Sequence, residues 1–199
     1  MYRVQTFNSI SDKGLTRFTA ERYTVSPETE NADAILLRSH KLAPTALTPN
    51  LRAVARAGAG VNNVPVAECT ERGVVVFNTP GANANAVKEL VLCGLLLASR
   101  GIVPGISFAD SQTQVSDYAE FSKLMEQEKK RFKGNEIAGK TLGVVGLGAI
   151  GSLVAEMAIG LGMEVVGFDP ALSVDAAWRL PSQVKRIENL SALVAGSDY

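Results

Sequence analysis

The sequence is short of the residues that most often carry chemistry or cross-link chains. Its 199 residues hold one histidine, His40, one tryptophan, Trp178, and two cysteines, Cys69 and Cys93. Two cysteines with neither a C-x-x-C pair nor metal-ligand spacing exclude a zinc module and a disulfide framework. Both lie in helix-like apolar patterns, where a free thiol packs as a small core residue in a reducing compartment. The lone histidine, just beyond a strand end, reads as solvated or structural rather than as an acid–base group. Net charge is missing too, because 20 Lys and Arg balance 20 Asp and Glu. Bulk attraction to nucleic acid or to an anionic membrane is thereby excluded. The basic run Lys129-Lys130-Arg131-Phe132-Lys133 reads as a solvated helix face, without an aromatic platform beside it. The longest clean apolar run, Val91 to Ala98, is far below a bilayer span, and the start Met1-Tyr2-Arg3-Val4 lacks a signal core. What remains is a cytoplasmic globular protein, with 46% hydrophobic residues to build its core.

What the chain does have is glycine at particular places. In Thr141-Leu142-Gly143-Val144-Val145-Gly146-Leu147-Gly148-Ala149-Ile150-Gly151, three glycines stand at G-x-G-x-x-G spacing. The pattern predicts a strand over Thr141 to Val145, a helix over Ala149 to Leu161 closed by Gly162, and a second strand over Glu164 to Phe168. Gly146 permits a tight turn, Gly148 lets a diphosphate approach the backbone, and Gly151 lets the helix pack closely. The helix start presents free N–H groups and a positive dipole end to phosphates. Asp169, 18 residues past Gly151, is placed to accept hydrogen bonds from an adenosine ribose. The context marks a dinucleotide site, and an acid at 169 favours NAD over NADP because a carboxylate repels a 2′-phosphate. No arginine follows it closely; Pro170-Ala171-Leu172 do.

Ahead of this unit, short apolar runs predict strands at Arg3 to Phe7, Arg22 to Val25, Ala34 to Arg38, Ala53 to Ala57 and Val74 to Asn78, with helices between them, notably Pro65 to Arg72. Regular alternation implies a parallel sheet with helices on both faces. Turn chemistry in Asn78-Thr79-Pro80-Gly81 sets a domain boundary there. The fold class is therefore α/β, with a flavodoxin-like domain over residues 1–81 and a Rossmann domain over residues 82–199. The second domain is expected to open with a helix from Asn85 to Ser99, capped by Asn83 or Asn85. That helix is apolar around most of its circumference and so expected to be buried between layers. Gly101, Pro104 and Gly105 should end it, and an amphipathic helix should run from Asp117 to Lys133. Two strands are read after Lys140, then a helix from Asn189 to Val194, where a nucleotide domain commonly has six strands. The Rossmann domain is thus read as incomplete, and the chain as the N-terminal part of a longer protein.

Two strand ends in the first domain carry ligand chemistry. Arg52 to Val64 ends in a second glycine-rich loop, where N–H groups at Gly58 and Gly60 form either an anion nest or a plain strand-to-helix turn. Arg38-Ser39-His40 ends another strand, and Arg38 makes either a bidentate clamp on a carboxylate or phosphate, or a surface salt bridge.

The run Arg56 to Val64, then Asn78-Thr79-Pro80-Gly81, then Ala86-Val87-Lys88-Glu89-Leu90, then Gly139-Lys140-Thr141-Leu142-Gly143 leading into Gly146 to Gly151, resembles the D-isomer-specific 2-hydroxyacid dehydrogenases over essentially the whole chain. The resemblance implies an NAD-dependent oxidoreductase acting on a 2-hydroxy or 2-oxo acid, with a substrate domain, an NAD domain and an active site in the cleft between them. It implies that Arg38, Ser39, Gly58, Ala59 and Gly60 bind substrate. It also implies that Ala59, Gly146, Gly148, Ala149, Ile150, Gly151 and Asp169 bind NAD, and that the complete protein is a homo-oligomer. The substrate reads first as D-3-phosphoglycerate, in serine biosynthesis, with Arg38 and Arg56 as candidate cations for its phosphate. Glyoxylate or hydroxypyruvate is the alternative, as is a non-enzymatic NAD-binding regulator of the same fold. Departures from the family pattern are Ala59 for Thr, Asn62 for Asp, Lys88 for Ala and Ala149 for Arg. The family's catalytic Arg, Glu and His find no match, since no histidine follows His40. No catalytic residue is assigned, and these 199 residues alone are expected to be inactive.

Overall fold

The computed structural model describes residues 1–199, and the chain divides into two compact units, residues 1–83 and 84–199, each with its own sheet and core.

The first unit runs β1 (Tyr2–Thr6), α1 (Asp12–Leu15), β2 (Tyr23–Ser26), β3 (Ala34–Leu37), β4 (Ala53–Arg56), α2 (Val66–Glu71) and β5 (Val75–Phe77). All pairings are parallel, in the order β2-β1-β3-β4-β5, which is the flavodoxin-like doubly wound order. The central strands bury Ile35, Leu37 and Val54 almost completely, as parallel strands covered on both faces should. Alternation with helices is less regular than the pattern predicts. The β2–β3 connection has no helix, and the β3–β4 connection has only a 3-10 turn at Pro44–Ala46. Pro44 and Pro49 remove backbone donors and hold their neighbours out of helical geometry. Leu42, Leu47 and Leu51 of that connection still bury into the core. Cys69, on α2, joins them there; burial pushes its thiol pKa up, and the nearby Glu68 charge adds to the rise.

The second unit comprises α3 (Ala84–Ser99), α4 (Ile102–Ser111), α5 (Tyr118–Glu128), β6 (Thr141–Val145), α6 (Ala149–Gly160), β7 (Glu164–Phe168), α7 (Val174–Ala177), β8 (Lys185–Arg186) and α8 (Leu190–Gly196). Strands β6, β7 and β8 pair in parallel in that order. On the free side of β6 the chain end runs alongside, with the Gly143 N–H donating to the Tyr199 carbonyl at 2.9 Å and the Tyr199 hydroxyl bonded to Ser99 Oγ at 2.7 Å. The core gathers Leu142, Val144, Val154, Ala155, Ala158 and Val165 between sheet and helices.

Two sequence expectations are corrected here, and one helix is added. Helix α3 is not buried all round. It packs against α6 on one side, while Leu90 is 71% exposed and Cys93 also faces outward. Apolar circumference shows what a helix offers, not which sides find a partner. Helix α3 ends at Ser99, ahead of Gly101 as expected, but a separate helix that was not expected, α4, starts at Ile102 with Pro104 in its first turn, where a missing N–H leaves no hydrogen bond unmade. A third strand, β8, follows the two that were read. Its two residues, Lys185 and Arg186, carry no apolar signal, and β7 recruits them by pairing. No single helix is long and apolar enough to cross a membrane.

Candidate functional site

The glycine turn of the second unit is built from both strands it touches. Gly146 has φ +87°, open to glycine and strained for other residues. Its N–H donates to the Phe168 carbonyl at 2.8 Å. Leu147 turns inward, only 5% exposed, and a Cβ on Gly167 would lie 2.8 Å from its methyl group, so the turn is seated on β7 by shape. Asp169 holds the turn from the other side: Oδ2 accepts from the Leu147 N–H at 2.8 Å and Oδ1 from the Ala171 N–H at 2.9 Å.

The chain then enters α6, a helix of 12 residues with Gly148 at its N-cap. The N–H groups of Gly148, Ala149, Ile150 and Gly151 donate to no protein acceptor, as the first turn of a helix requires. The glycines divide the work. A Cβ on Gly148 would meet nothing within 4 Å, so its absence keeps the space before these donors open. A Cβ on Gly151 would collide with the Gly146 carbonyl, so its absence lets the helix seat on the turn. Four free donors at a positive helix end, open approach at Gly148, and a carboxylate with acceptor capacity left at Asp169 fit a diphosphate joined to a ribose.

Beyond Asp169 lies a cleft of about 770 Å³, lined among others by Leu147, Leu172, Val174, Trp178, Leu180 and Arg186. Sequence reasoning missed Trp178 and Arg186. No arginine follows Asp169 closely in the chain, yet Arg186 lines the same cleft because β8 pairs Arg186 with Gly167. A strand assignment at Lys185–Arg186 would have found it.

In the first unit, parallel register brings the carboxyl ends of β1, β3, β4 and β5 to one edge of the sheet. Side chains lace these ends together. Asn8, at φ +65°, accepts from the N–H groups of Ser39 at 2.9 Å and His40 at 2.7 Å. Asn63 Nδ2 donates to the carbonyls of Arg38 at 3.2 Å and His40 at 2.7 Å. Asn78 Nδ2 donates to the Ala59 carbonyl at 2.7 Å. The His40 ring stacks on Phe7 with centroids 4.2 Å apart.

Arg56 and Arg38, both candidate cations in the sequence, separate here. Arg56 Nε donates to the Arg38 carbonyl at 3.1 Å, and its Nη1 donates to the Gly60 carbonyl. Arg38 is exposed, and its guanidinium has no hydrogen-bond or ion-pair partner. The expectation for Gly58 and Gly60 is corrected as well. Gly58 does not expose its N–H, which donates to the Arg56 carbonyl at 2.9 Å. Both glycines make room for Arg56: Cβ atoms there would lie 3.1 and 3.2 Å from its guanidinium. The free donors are the N–H groups of Ala59, Gly60, Val61, Asn62 and Asn63, five in succession, as an anion nest needs.

The catalytic-domain profile of the D-isomer specific 2-hydroxyacid dehydrogenases matches residues 6–195. The D-3-phosphoglycerate dehydrogenase of Methanocaldococcus jannaschii is 37% identical over 149 residues, covering 75% of this chain and 26% of its own length. The hydroxypyruvate reductase of Thermotoga maritima is 41% identical over 122 residues, covering 61% of this chain and 36% of its own. The crystal structure of NAD+-bound 3-phosphoglycerate dehydrogenase from Entamoeba histolytica shares the fold, with a TM-score of 0.69 and 21% identity over 98% of this chain and 60% of that one. The chain thus spans about a quarter to a third of the curated relatives' length.

Proposed function

The chain belongs to the D-isomer specific 2-hydroxyacid dehydrogenase family, and from that membership we propose that its second unit binds NAD, its first unit binds a 2-hydroxy or 2-oxo acid, and the protein serves hydride transfer between the two. The observation that carries this reading is the row of four unpartnered N–H groups at the head of α6, with open approach at Gly148 and Asp169 beside it. These donors hold the diphosphate, and Asp169 accepts from the ribose and disfavours a 2′-phosphate. When bound, NAD supplies the hydride-carrying ring. In the first unit, Arg38 and the free N–H groups of Ala59 and Gly60 hold the acid's carboxylate, with the Ser39 hydroxyl beside them. The exposed apolar side of α3, including Leu90, supports a subunit contact in a homo-oligomer.

D-3-phosphoglycerate is the substrate of this reading, supported by the likeness to enzymes named for it. One observation favours a second reading. Arg56 is committed to carbonyls, which leaves Arg38 as the free member of the pair. A single fork suits a carboxylate, as in unphosphorylated hydroxypyruvate, and the T. maritima relative is named for that substrate. These 199 residues alone are not expected to turn substrate over: their sole histidine has no carboxylate bonded or ion-paired to its ring to work with it as an acid–base pair.

Calorimetry tests the core of the proposal. NADH is expected to bind the chain, with NADPH at least about tenfold weaker, and Asp169→Ala should weaken NADH and narrow that gap. No uptake of NADH overturns the reading. A steady NADH-dependent reduction of a 2-oxo acid by the 199 residues alone would overturn the statement about turnover. Competition between D-3-phosphoglycerate and D-glycerate separates the two substrates.

A further inference from the structure

The cleft beyond Asp169 holds a residue that the diphosphate grip does not use. Trp178, the chain's only tryptophan, is 84% exposed, and Val174 beside it in the cleft wall is 73% exposed. An indole left in water next to other apolar surface gains when a flat partner covers it. Asp169 and Arg186 are the only charged residues in the wall, and the rest is largely aliphatic, including Leu172, Leu180 and Val184.

The order of ligand parts along the fold says what reaches this wall. The N–H groups of Gly148 to Gly151 hold a diphosphate at the end of β6, and Asp169 holds the ribose at the end of β7. The group carried by that ribose then continues from β7 toward β8, into the cleft. Local structure keeps Trp178 there. The Ser173 hydroxyl caps α7 by accepting from the Ala176 N–H at 3.2 Å, and the Trp178 N–H donates to the Val174 carbonyl at 3.1 Å. At the base of this segment, the Ala171 N–H is tied to Asp169 at 2.9 Å. The ring therefore hangs from a one-turn helix anchored to the ribose-binding acid itself.

We propose that Trp178 is the base-stacking residue of the dinucleotide site, its indole covering the adenine ring. This rests on the NAD reading above and adds to it which side chain holds the adenine end.

The single tryptophan makes the test direct. Emission from Trp178 is followed while the 199-residue chain is titrated with AMP, ADP-ribose, NADH and nicotinamide mononucleotide, with calorimetry in parallel. The first three should change the emission with the midpoints that calorimetry gives, and nicotinamide mononucleotide should not. Trp178→Ala should weaken ADP-ribose on the order of tenfold, as loss of one base–aromatic stack does, and Trp178→Phe should recover affinity to within about threefold. Thermal melts of both variants should match the parent, since the ring is exposed; the emission titration stands whether or not the alanine variant folds. ADP-ribose binding by calorimetry with unchanged emission and an unaffected Trp178→Ala overturns the stack and leaves the dinucleotide site standing. An emission change from nicotinamide mononucleotide equal to that from AMP overturns the adenine assignment. Failure of both NADH and ADP-ribose to bind the parent chain removes the NAD reading and this inference together.

Discussion

Two loops leave the carboxyl end of a parallel strand with nearly the same spelling, Gly-Ala-Gly at 58–60 and Gly-Leu-Gly at 146–148. Each presents a run of at least four consecutive N–H groups without an acceptor. Behind that likeness the construction differs. The loop at 146 is shaped by the backbone, with a positive φ at Gly146 and a 12-residue helix that starts at once. The space that Gly148 leaves is open. The loop at 58 has no positive φ, reaches a helix only at Val66, and has its glycine space filled by the Arg56 guanidinium. It is held from outside by Asn78 and Arg56, and its neighbour at Arg38–His40 by Asn8 and Asn63. A glycine in a strand-end loop can therefore be kept for a ligand or for the protein's own side chain, and only what stands where the Cβ would be tells which.

Substitutions break this comparison in decreasing order of effect. Gly151→Val forces a side chain into the Gly146 carbonyl. It should destabilise the second unit by about 3 kcal/mol or more, seen as an early transition in urea unfolding, and an unchanged midpoint would contradict the seating of α6. Gly148→Val meets open space, so stability should move by no more than the about 1 kcal/mol expected of a poorer N-cap. Its NADH affinity should fall about a hundredfold, or about 2.7 kcal/mol. Binding at parental strength would show that this space is not the ligand's. Arg56→Ala removes donors from two carbonyls and should cost the first unit about 1 to 2 kcal/mol while leaving NADH affinity alone. Equal losses in both properties would mean that the units are not independent in this respect.

The smallest effect concerns the edge of the second sheet. The Glu164 carboxyl is held below the usual glutamate range, first by the hydrogen bond from Lys185 and then by its charge. A lowered native value adds stability above the ordinary glutamate pKa and loses it as pH falls through the lowered one. Glu164→Gln should therefore be slightly less stable than the parent near neutrality and indistinguishable from it in acid. A difference that widens on acidification would refute the pairing. Both groups are exposed, so added salt should shrink the effect.

How much could be read from the sequence follows the same division. Strands Thr141–Val145 and Glu164–Phe168, and the helix from Ala149, lie where the local pattern puts them. Their signals are apolar spacing and glycine conformation within a few residues. Helix α4 goes unread because Pro104 and Gly105 look like terminators unless the helix is known to start at Ile102. Strand β8 was invisible because pairing with β7 creates it. The lacing of the first unit was out of reach for a simpler reason. Asn8, Asn63 and Asn78 act on backbone 31, 25 and 19 residues away, and an asparagine with a distant partner is spelled like one on a surface turn.

The guanidinium lying over Gly58 and Gly60 makes positions 56, 58 and 60 a single heritable choice. A methyl group at 58 is expected to be harmful beside arginine and nearly neutral once alanine stands at 56, so the combined change costs less than its parts. Sequences that drift at this loop should therefore abandon the arginine before they abandon the glycines, or lose all three together.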